Sequence, residues 1–147
     1  MRCIVVVDAS FRSAQPMKVL IVDDDLDSAE SLVTLLTATG HDVRLEVGAH
    51  AGADAAAAWS PDVALLDIGL PAGGAYLLAS RVRAEPATCT TRLVALTDWG
   101  QHEDRHRSAE AGFDHYLVKP VDPLHLKVLL NSVASGPRAT GGRAPKG

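Results

Sequence analysis

The sequence predicts an α/β fold in which a doubly wound, five-stranded parallel sheet lies between two layers of helices. Five short apolar runs alternate with helical patterns along the chain. The runs are apolar almost throughout, which is typical of strands buried on both faces, and parallel neighbours need a crossover helix between them. Aromatic residues make up only 4% of the chain, so the core is built from Ala, Val, Leu and Ile, which let helices lie close against a sheet.

The elements follow from the period of the apolar residues, which is short in strands and near 3.6 in helices. The predicted strands are 18–23 (KVLIVD), 41–47 (HDVRLEV), 62–67 (DVALLD), 92–97 (RLVALT) and 115–119 (HYLVK). The predicted helices are 26–38, 50–59, 74–84, 103–111 and 123–134. This strict alternation indicates one domain over residues 17–134.

The two ends of the chain differ from the middle. Residues 135–147 (SGPRATGGRAPKG) carry positive charges and almost no apolar residues, which predicts a disordered basic tail. Residues 1–16 begin with MRCIVVVD, which resembles MKVLIVDD from Met17, but continue into ASFRSAQP, which has no apolar periodicity. They are interpreted as an N-terminal extension.

Composition narrows the class of protein. The chain has 147 residues, of which 47% are hydrophobic and 22% charged, an ordinary mixture for a globular domain. Its formal net charge of -4 argues against nucleic acid as a partner. Cys3 and Cys89 have no disulfide or metal-ligand spacing, which favours a reducing cytoplasm. The apolar run CIVVV is too short to cross a membrane.

Chemistry-bearing residues stand where the predicted strands end. Four of the five strands finish in Asp23, Asp67, Thr97 and Lys119, and Asp24 follows the first of them. In open parallel sheets ligands bind outside the carboxyl ends of the strands. These side chains are therefore expected to converge on one site.

The acidic run after the first strand has a competing interpretation as a calcium loop. Asp23, Asp25 and Asp27 have the spacing of the opening ligands of an EF-hand. That loop needs Gly at its sixth place and Glu at its twelfth, where this chain has Ser28 and Thr34. A calcium loop is therefore excluded. Asp25 is predicted to be either the N-cap of the following helix or an acid in its first turn that the helix dipole stabilises.

A second motif, HEDRH at 102–106, matches the H-E-x-x-H signature of zinc proteases. A catalytic zinc ion needs a third protein ligand and a shielded helix. The stretch continues RSAEAG, which is polar almost throughout. A solvated charged face is the better interpretation of this motif.

The converging strand ends fit phosphoryl chemistry best. Asp23, Asp24 and Asp67 form a carboxylate cluster that suits Mg²⁺, a hard cation that keeps several of its waters. Lys119 and Thr97 add a positive charge and a hydroxyl donor, the groups that position and neutralise a transferring phosphoryl group. Neither a P-loop nor a G-x-G-x-x-G motif is present in the sequence, so the donor is not a nucleotide bound here.

Four segments in order then resemble one family. The receiver domain of two-component response regulators has strand-end motifs similar to VLIVDDD, PDVALLDIGLP, LVALT and GFDHYLVKPVDP. The resemblance covers residues 17 to about 134. The last segment is most like receivers of hybrid histidine kinases. The resemblance implies a flavodoxin-like (βα)5 fold. The chain departs from the family pattern at PAGGA, where Gly73 and Ala75 follow Pro71.

The resemblance implies a role for each site residue. Asp67 would be the phosphoacceptor, and Asp23, Asp24 and Asp67 would hold Mg²⁺ together with the backbone carbonyl of Gly69. Lys119 would contact the phosphoryl oxygens. A cis peptide bond between Lys119 and Pro120 is also expected, since the lysine must turn back toward the phosphate.

The resemblance also implies partners and a switch. Thr97 would contact the phosphoryl group and, with Tyr116, switch a face made of the fourth helix (103–111), the fifth strand and the fifth helix (123–134). The phosphodonor would be a sensor histidine kinase or a histidine phosphotransfer protein, and a downstream protein would bind the switched face. Nucleic acid and membranes are not expected as partners. The alternative is a receiver-like interaction module that is never phosphorylated.

Overall fold

The computed structural model describes residues 16–98 and 111–134, which form a single sheet and its covering helices. The strands are Lys18–Val22 (β1), Asp42–Glu46 (β2), Val63–Asp67 (β3), Arg92–Thr97 (β4) and His115–Val118 (β5). The α-helices are Leu26–Ala38 (α1), Ala49–Trp59 (α2), Gly74–Ala84 (α3) and Pro123–Ala134, which we call the C-terminal helix. A single 3-10 turn, Pro71–Gly73, precedes α3.

All strand pairs are parallel, and the order across the sheet is β2-β1-β3-β4-β5. The chain thus moves outward from β1 to one edge, returns to β3 and continues to the other edge. This order confirms the predicted doubly wound, flavodoxin-like α/β fold. The crevice at the reversal between β1 and β3 is where such sheets bind ligands.

The two faces of the sheet bury two separate apolar cores. Because successive strand residues point to opposite faces, Val19 and Ile21 of β1 join one core while Leu20 and Val22 join the other. The first core is covered by α1 and the C-terminal helix, and the second by α2 and α3. Small residues allow close packing on the second face, where a Cβ added at Gly52 would lie 2.8 Å from a methyl of Val22.

The observed elements differ from the predicted ones mainly at strand ends. The bounds of α1, α3 and the C-terminal helix agree with prediction, and α2 begins one residue earlier. Asp23 and Lys119 lie just past β1 and β5 instead of inside them. The predicted helix 103–111, except its last residue, and the whole 135–147 tail lie outside the described residues, as does the extension 1–16 apart from Pro16. None of the helices within the described ranges is long and apolar enough to cross a membrane.

One arginine ties together the amino ends of β4 and β5. The Arg83 guanidinium donates to the carbonyl oxygens of Gly112, Cys89 and Thr91 at 2.6 to 3.1 Å. It also donates to Asp114 Oδ2 at 2.8 Å, and the same oxygen accepts from the backbone N–H of Leu93. The loops that lead into both strands are therefore fixed by a network of charged and neutral hydrogen bonds.

A buried histidine fixes the start of the domain. The backbone N–H of Met17 donates to His41 Nδ1 at 3.1 Å, and both residues are buried. The acceptor nitrogen must be unprotonated, and burial lowers the pKa of His41, which keeps the ring neutral. The path of the chain into β1 is thereby held beside this imidazole.

Candidate functional site

The turn after β1 places three consecutive aspartates in three different environments. Asp23 is fully buried, and its Oδ1 accepts a hydrogen bond from the backbone N–H of Asp25 at 2.9 Å. Asp25 caps α1, with its own carboxylate facing the backbone N–H of Ser28 at 3.5 Å, which confirms the capping prediction. Asp24 is exposed. The run thus divides into a buried, an exposed and a capping carboxylate.

Asp67 is the last residue of β3 and is nearly buried, with 8% of its surface exposed. Its Oδ1 accepts a hydrogen bond from the backbone N–H of Gly69 at 2.9 Å. A Cβ added at Gly69 would lie only 3.3 Å from that oxygen, so the glycine permits the close approach of the turn to the carboxylate. The backbone N–H of Gly69 therefore orients the Asp67 side chain.

Lys119 joins the two buried carboxylates. Its Nζ donates to Asp23 Oδ2 at 3.0 Å and lies 3.6 Å from Asp67 Oδ2. Its backbone N–H donates to the carbonyl oxygen of Thr97 at 2.7 Å, which ties the turn after β5 to the end of β4. The Lys119–Pro120 bond is cis, as the sequence predicted.

The electrostatics of the site favour uptake of positive charge. Burial, and next the neighbouring Asp23 carboxylate, together raise the pKa of Asp67 to about 6 against the opposing effects of the Gly69 N–H and Lys119. Burial acts to lower the pKa of Lys119, but its hydrogen bond to Asp23 and the charges of Asp67, Asp23 and Asp25 outweigh burial and raise it. The single positive charge of Lys119 is thus shared between two carboxylates, those of Asp23 and Asp67.

The carboxylates fit a hard divalent cation. Asp23, Asp24 and Asp67 each place one oxygen within 4.8 Å of the others'. The donor set consists of oxygen only, with one exposed member that leaves room for water, which is the environment Mg²⁺ prefers. The carbonyl of Gly69, the fourth expected ligand, belongs to the turn that holds Asp67.

The two predicted switch residues lie on neighbouring strands beside this edge. Thr97 ends β4, is 5% exposed and donates its hydroxyl to the carbonyl oxygen of Asp98 at 3.3 Å. Tyr116 pairs with Ala95 across the β4–β5 ladder and packs, half-buried, against the core under α2 and α3. Thr97 thus lies at the strand end beside the site, whereas Tyr116 lies two residue pairs further from that end of the ladder.

Sequence reasoning missed how the carboxylates are held. It did not show that Lys119 pairs with Asp23 and Asp67 when no phosphoryl group is bound, and the contact of Lys119 with phosphoryl oxygens stays a prediction. It also missed the backbone N–H groups of Asp25 and Gly69 that orient the two buried acids. A sequence signal for these hydrogen bonds was an aspartate at a strand end followed by a tight turn. In both cases the residue that donates its backbone N–H stands two positions after the aspartate that accepts.

Comparisons with known proteins point to one family. Residues 19–131 match the family model of the response regulator receiver domain. A 14.6 kDa protein from Leptolyngbya boryana is 34% identical over 110 residues, 75% of this chain and 84% of that protein. The crystal structure of a putative response regulator from Chloroflexus aurantiacus is 32% identical with a TM-score of 0.78 and covers 83% of this chain and 100% of its own.

A third comparison supports the fold alone. The receiver domain of the sensor histidine kinase PA1611 of Pseudomonas aeruginosa, solved with a magnesium ion in its active site cleft, is 24% identical with a TM-score of 0.76 and covers 83% of this chain and 100% of its own. Several matched transcriptional regulators are longer, and the match spans 44 to 51% of their length. The family match over most of the chain, with the acidic cluster at the sheet edge, shows that this chain belongs to the response regulator receiver domain family.

Proposed function

We propose that this receiver domain accepts a phosphoryl group from a phosphohistidine onto Asp67. The observation that carries the proposal is the position of the Asp67 carboxylate beside Asp23, Asp24 and Lys119 at one sheet edge. A carboxylate that served only as a turn residue would not need a buried acid and a lysine as neighbours. The partner that supplies the phosphoryl group is a sensor histidine kinase or a histidine phosphotransfer protein.

The transfer needs one bond to form and one to break. A carboxylate oxygen of Asp67 attacks the phosphorus atom while the P–N bond to the histidine breaks, and the imidazole nitrogen keeps the electron pair and later takes a proton. The product is an acyl phosphate on Asp67. Water then attacks the same phosphorus, which releases inorganic phosphate and restores the carboxylate.

Mg²⁺ would be held by Asp23, Asp24 and Asp67 with the Gly69 carbonyl. Bound there, the ion neutralises charge on the phosphoryl oxygens. The protein's own part is to fix the acceptor, because the Gly69 N–H holds one carboxylate oxygen of Asp67 and leaves the other beside Lys119. Support for this ligand set comes from the all-oxygen cluster, and the receiver domain of PA1611, which shares the fold, was solved with a magnesium ion in its active site cleft.

Lys119 would change partners during the reaction. In the present structure its ammonium group is shared between Asp23 and Asp67. When Asp67 becomes an acyl phosphate, that carboxylate charge is replaced by phosphoryl oxygens in the same place. The lysine then donates to a phosphoryl oxygen and keeps its contact with Asp23, so the cation stabilises the product without a large movement.

Intact mass spectrometry tests the proposal. The chain is treated with a small phosphodonor and Mg²⁺, and we expect a mass increase of one phosphoryl group that is lost in Asp67→Asn. Asp54→Asn is the matched control, since Asp54 is an exposed carboxylate on α2. A wild-type chain that gains no mass with donor and Mg²⁺ would favour the alternative, an interaction module that is never phosphorylated.

Phosphorylation would switch a protein-binding face. The Thr97 hydroxyl would turn from the Asp98 carbonyl toward the new anionic oxygens, and Tyr116 would move further into the space this leaves. The switched face includes β5 and the C-terminal helix, and the predicted helix 103–111, which falls almost wholly outside the described residues. The coupling free energy for such a switch is typically about 1 to 3 kcal/mol.

NMR with beryllofluoride, which mimics a phosphoryl group on aspartate, tests the switch. We expect shift changes that extend from the strand ends to β5 and the C-terminal helix. Changes confined to the strand ends would contradict the switch and leave phosphorylation of Asp67 intact. The same spectra of Thr97→Ala should lose the distant changes first.

The downstream partner is proposed to be a protein, and the domain is proposed to act in the cytoplasm. The net charge of -4 disfavours direct contact with nucleic acid. One matched relative is a DNA-binding regulator, of which the match covers 44%, and its DNA binding is not carried over to this domain.

A further inference from the structure

An apolar groove separates α1 from the C-terminal helix. It encloses about 380 Å³ and is lined mainly by leucines, with His41 among the lining residues. The leucines are Leu35, Leu36, Leu124, Leu126 and Leu130. Leu124 lines this groove, yet 67% of its surface is exposed. The groove has no occupant among the described residues.

The start of the domain lies at the same groove. Met17 is buried, and its backbone N–H bonds the His41 ring that lines the groove. The preceding residue, Pro16, is exposed. Any segment that precedes Pro16 therefore begins its path next to this groove, whichever way it continues.

The segment Cys3–Val7 has the composition that the groove selects. It reads CIVVV, five apolar residues without a charge, three of which are valine. Consecutive apolar residues left in water are a liability for a folded protein unless something covers them. The groove offers apolar walls of leucine, and the segment offers branched aliphatic side chains.

The connection between segment and domain is long enough for the two to meet. Residues 8–15 lie between them, and at about 3.3 to 3.6 Å per residue these eight residues span up to about 26 to 29 Å. The C-terminal helix has 12 residues and is about 18 Å long at 1.5 Å per residue. A short tether gives an effective concentration on the order of millimolar, so weak apolar contacts suffice.

We propose that Cys3–Val7 of the same chain docks in the groove between α1 and the C-terminal helix. The segment covers Leu124 and leaves the carboxylate edge of the sheet open. The proposal does not rest on phosphorylation of Asp67. It assigns a binding partner to the groove and a role to the N-terminal extension.

Disulfide trapping with the native Cys3 tests the docking. The full chain carries Cys89→Ser, to remove the other thiol, and either Lys127→Cys, which lines the groove, or Asp54→Cys, which is exposed on the opposite face of the sheet. In a glutathione redox buffer we expect the intrachain disulfide with Lys127→Cys to form at least tenfold faster. Equal rates at the two positions would overturn the proposal.

Two further measurements complete the test. Val5→Asp with Val6→Asp should abolish the rate difference, because a charge entering the groove loses its hydration. The same double variant should shift the methyl signals of Leu35 and Leu126 in the otherwise native chain. A disulfide-linked dimer would show that a second copy's segment fills the groove, and unchanged methyl signals would show that nothing of this chain does. Either result would overturn the intrachain docking.

Discussion

Two partly buried cations, at opposite ends of the sheet, differ in how their charge is matched. Arg83 lies at the amino ends of β4 and β5, where it bonds one carboxylate, Asp114, and several backbone carbonyl oxygens. Lys119 lies at the carboxyl end of β5 and bonds two carboxylates, Asp23 and Asp67, while Asp24 stands close by. The side chains of the two cations are similarly buried, at 17% and 14% exposure.

The difference separates a site that stabilises the fold from one that is proposed to react. Among the described residues, the Arg83 guanidinium pairs with one carboxylate, Asp114, and donates its other N–H groups to neutral carbonyl oxygens. The Lys119 cluster leaves net negative charge inside the protein, and burial together with the neighbouring Asp23 carboxylate raises the pKa of Asp67. The fold tolerates this imbalance at the edge where a cation and a phosphoryl group are proposed to bind.

Removing the balanced cation should have the largest effect on stability. Arg83→Met removes a charged donor from the Asp114 carboxylate and from several carbonyl oxygens, and we expect the free energy of unfolding to fall by about 3 to 4 kcal/mol. Arg81→Met, on the exposed side of the same helix, is the control and should change it by less than about 0.5 kcal/mol. Urea unfolding of both variants measures the difference. Similar losses in the two would show that the network does not stabilise the fold.

Neutralising the acceptor should stabilise the protein when metal is absent. The pKa of Asp67 is about 6 in the folded chain, against an ordinary value of 3.8 for an aspartate in water, so ionisation costs the native state about 3 kcal/mol. The native state holds its proton longer than the unfolded state, so stability falls as pH rises from about 4 to about 6 and stays low above that. Asp67→Asn in EDTA should therefore be about 3 kcal/mol more stable than wild type at pH 8 and equal to it below pH 4. A gain that persists at pH 3 would have another cause.

Supplying a cation should relieve the imbalance at the acidic edge and leave the Arg83 network unchanged. At a Mg²⁺ concentration 100 times its dissociation constant, ligation of the native state adds about 2.7 kcal/mol. The midpoint temperature of thermal unfolding of wild type should rise over a millimolar Mg²⁺ titration. That of Asp24→Asn should rise much less. Identical midpoints with and without Mg²⁺ in wild type would contradict the proposed metal site.

Removing the unbalanced cation should cost less than removing Arg83. In wild type, protonation of Asp67 at pH 7 costs about 1.4 kcal/mol because its pKa is about 6, and Lys119→Met lowers this cost because Lys119 holds that pKa down. We expect a loss of about 1 to 2 kcal/mol at pH 7 that shrinks as pH falls toward 6. Chemical denaturation at the two pH values checks this. A loss of stability that grows as the pH falls would show that proton uptake by Asp67 does not compensate for the missing lysine.

The comparison also explains what the sequence could predict. The strand-end positions of Asp67, Thr97 and Lys119 follow from where apolar runs stop, because parallel strands all end at one edge. The identity of the acid next to Lys119 does not follow, since it depends on which strands are neighbours. The Arg83 network was invisible for the same reason: it joins a helix to loops up to 31 positions away, and neutral carbonyl partners leave no trace in the sequence.

The hydrogen bond between Lys119 and Asp23 joins residues that are 96 positions apart. A ribosome that adds about 5 to 20 residues per second needs roughly 5 to 20 s to make the chain between them. In the later part of that interval, once Asp67 has been made, the nascent chain contains Asp23 and Asp67 but lacks the lysine that bridges them. The proposed phosphorylation site is therefore incomplete on a partly synthesised domain, and a bound phosphoryl group would report that synthesis has passed the fifth strand.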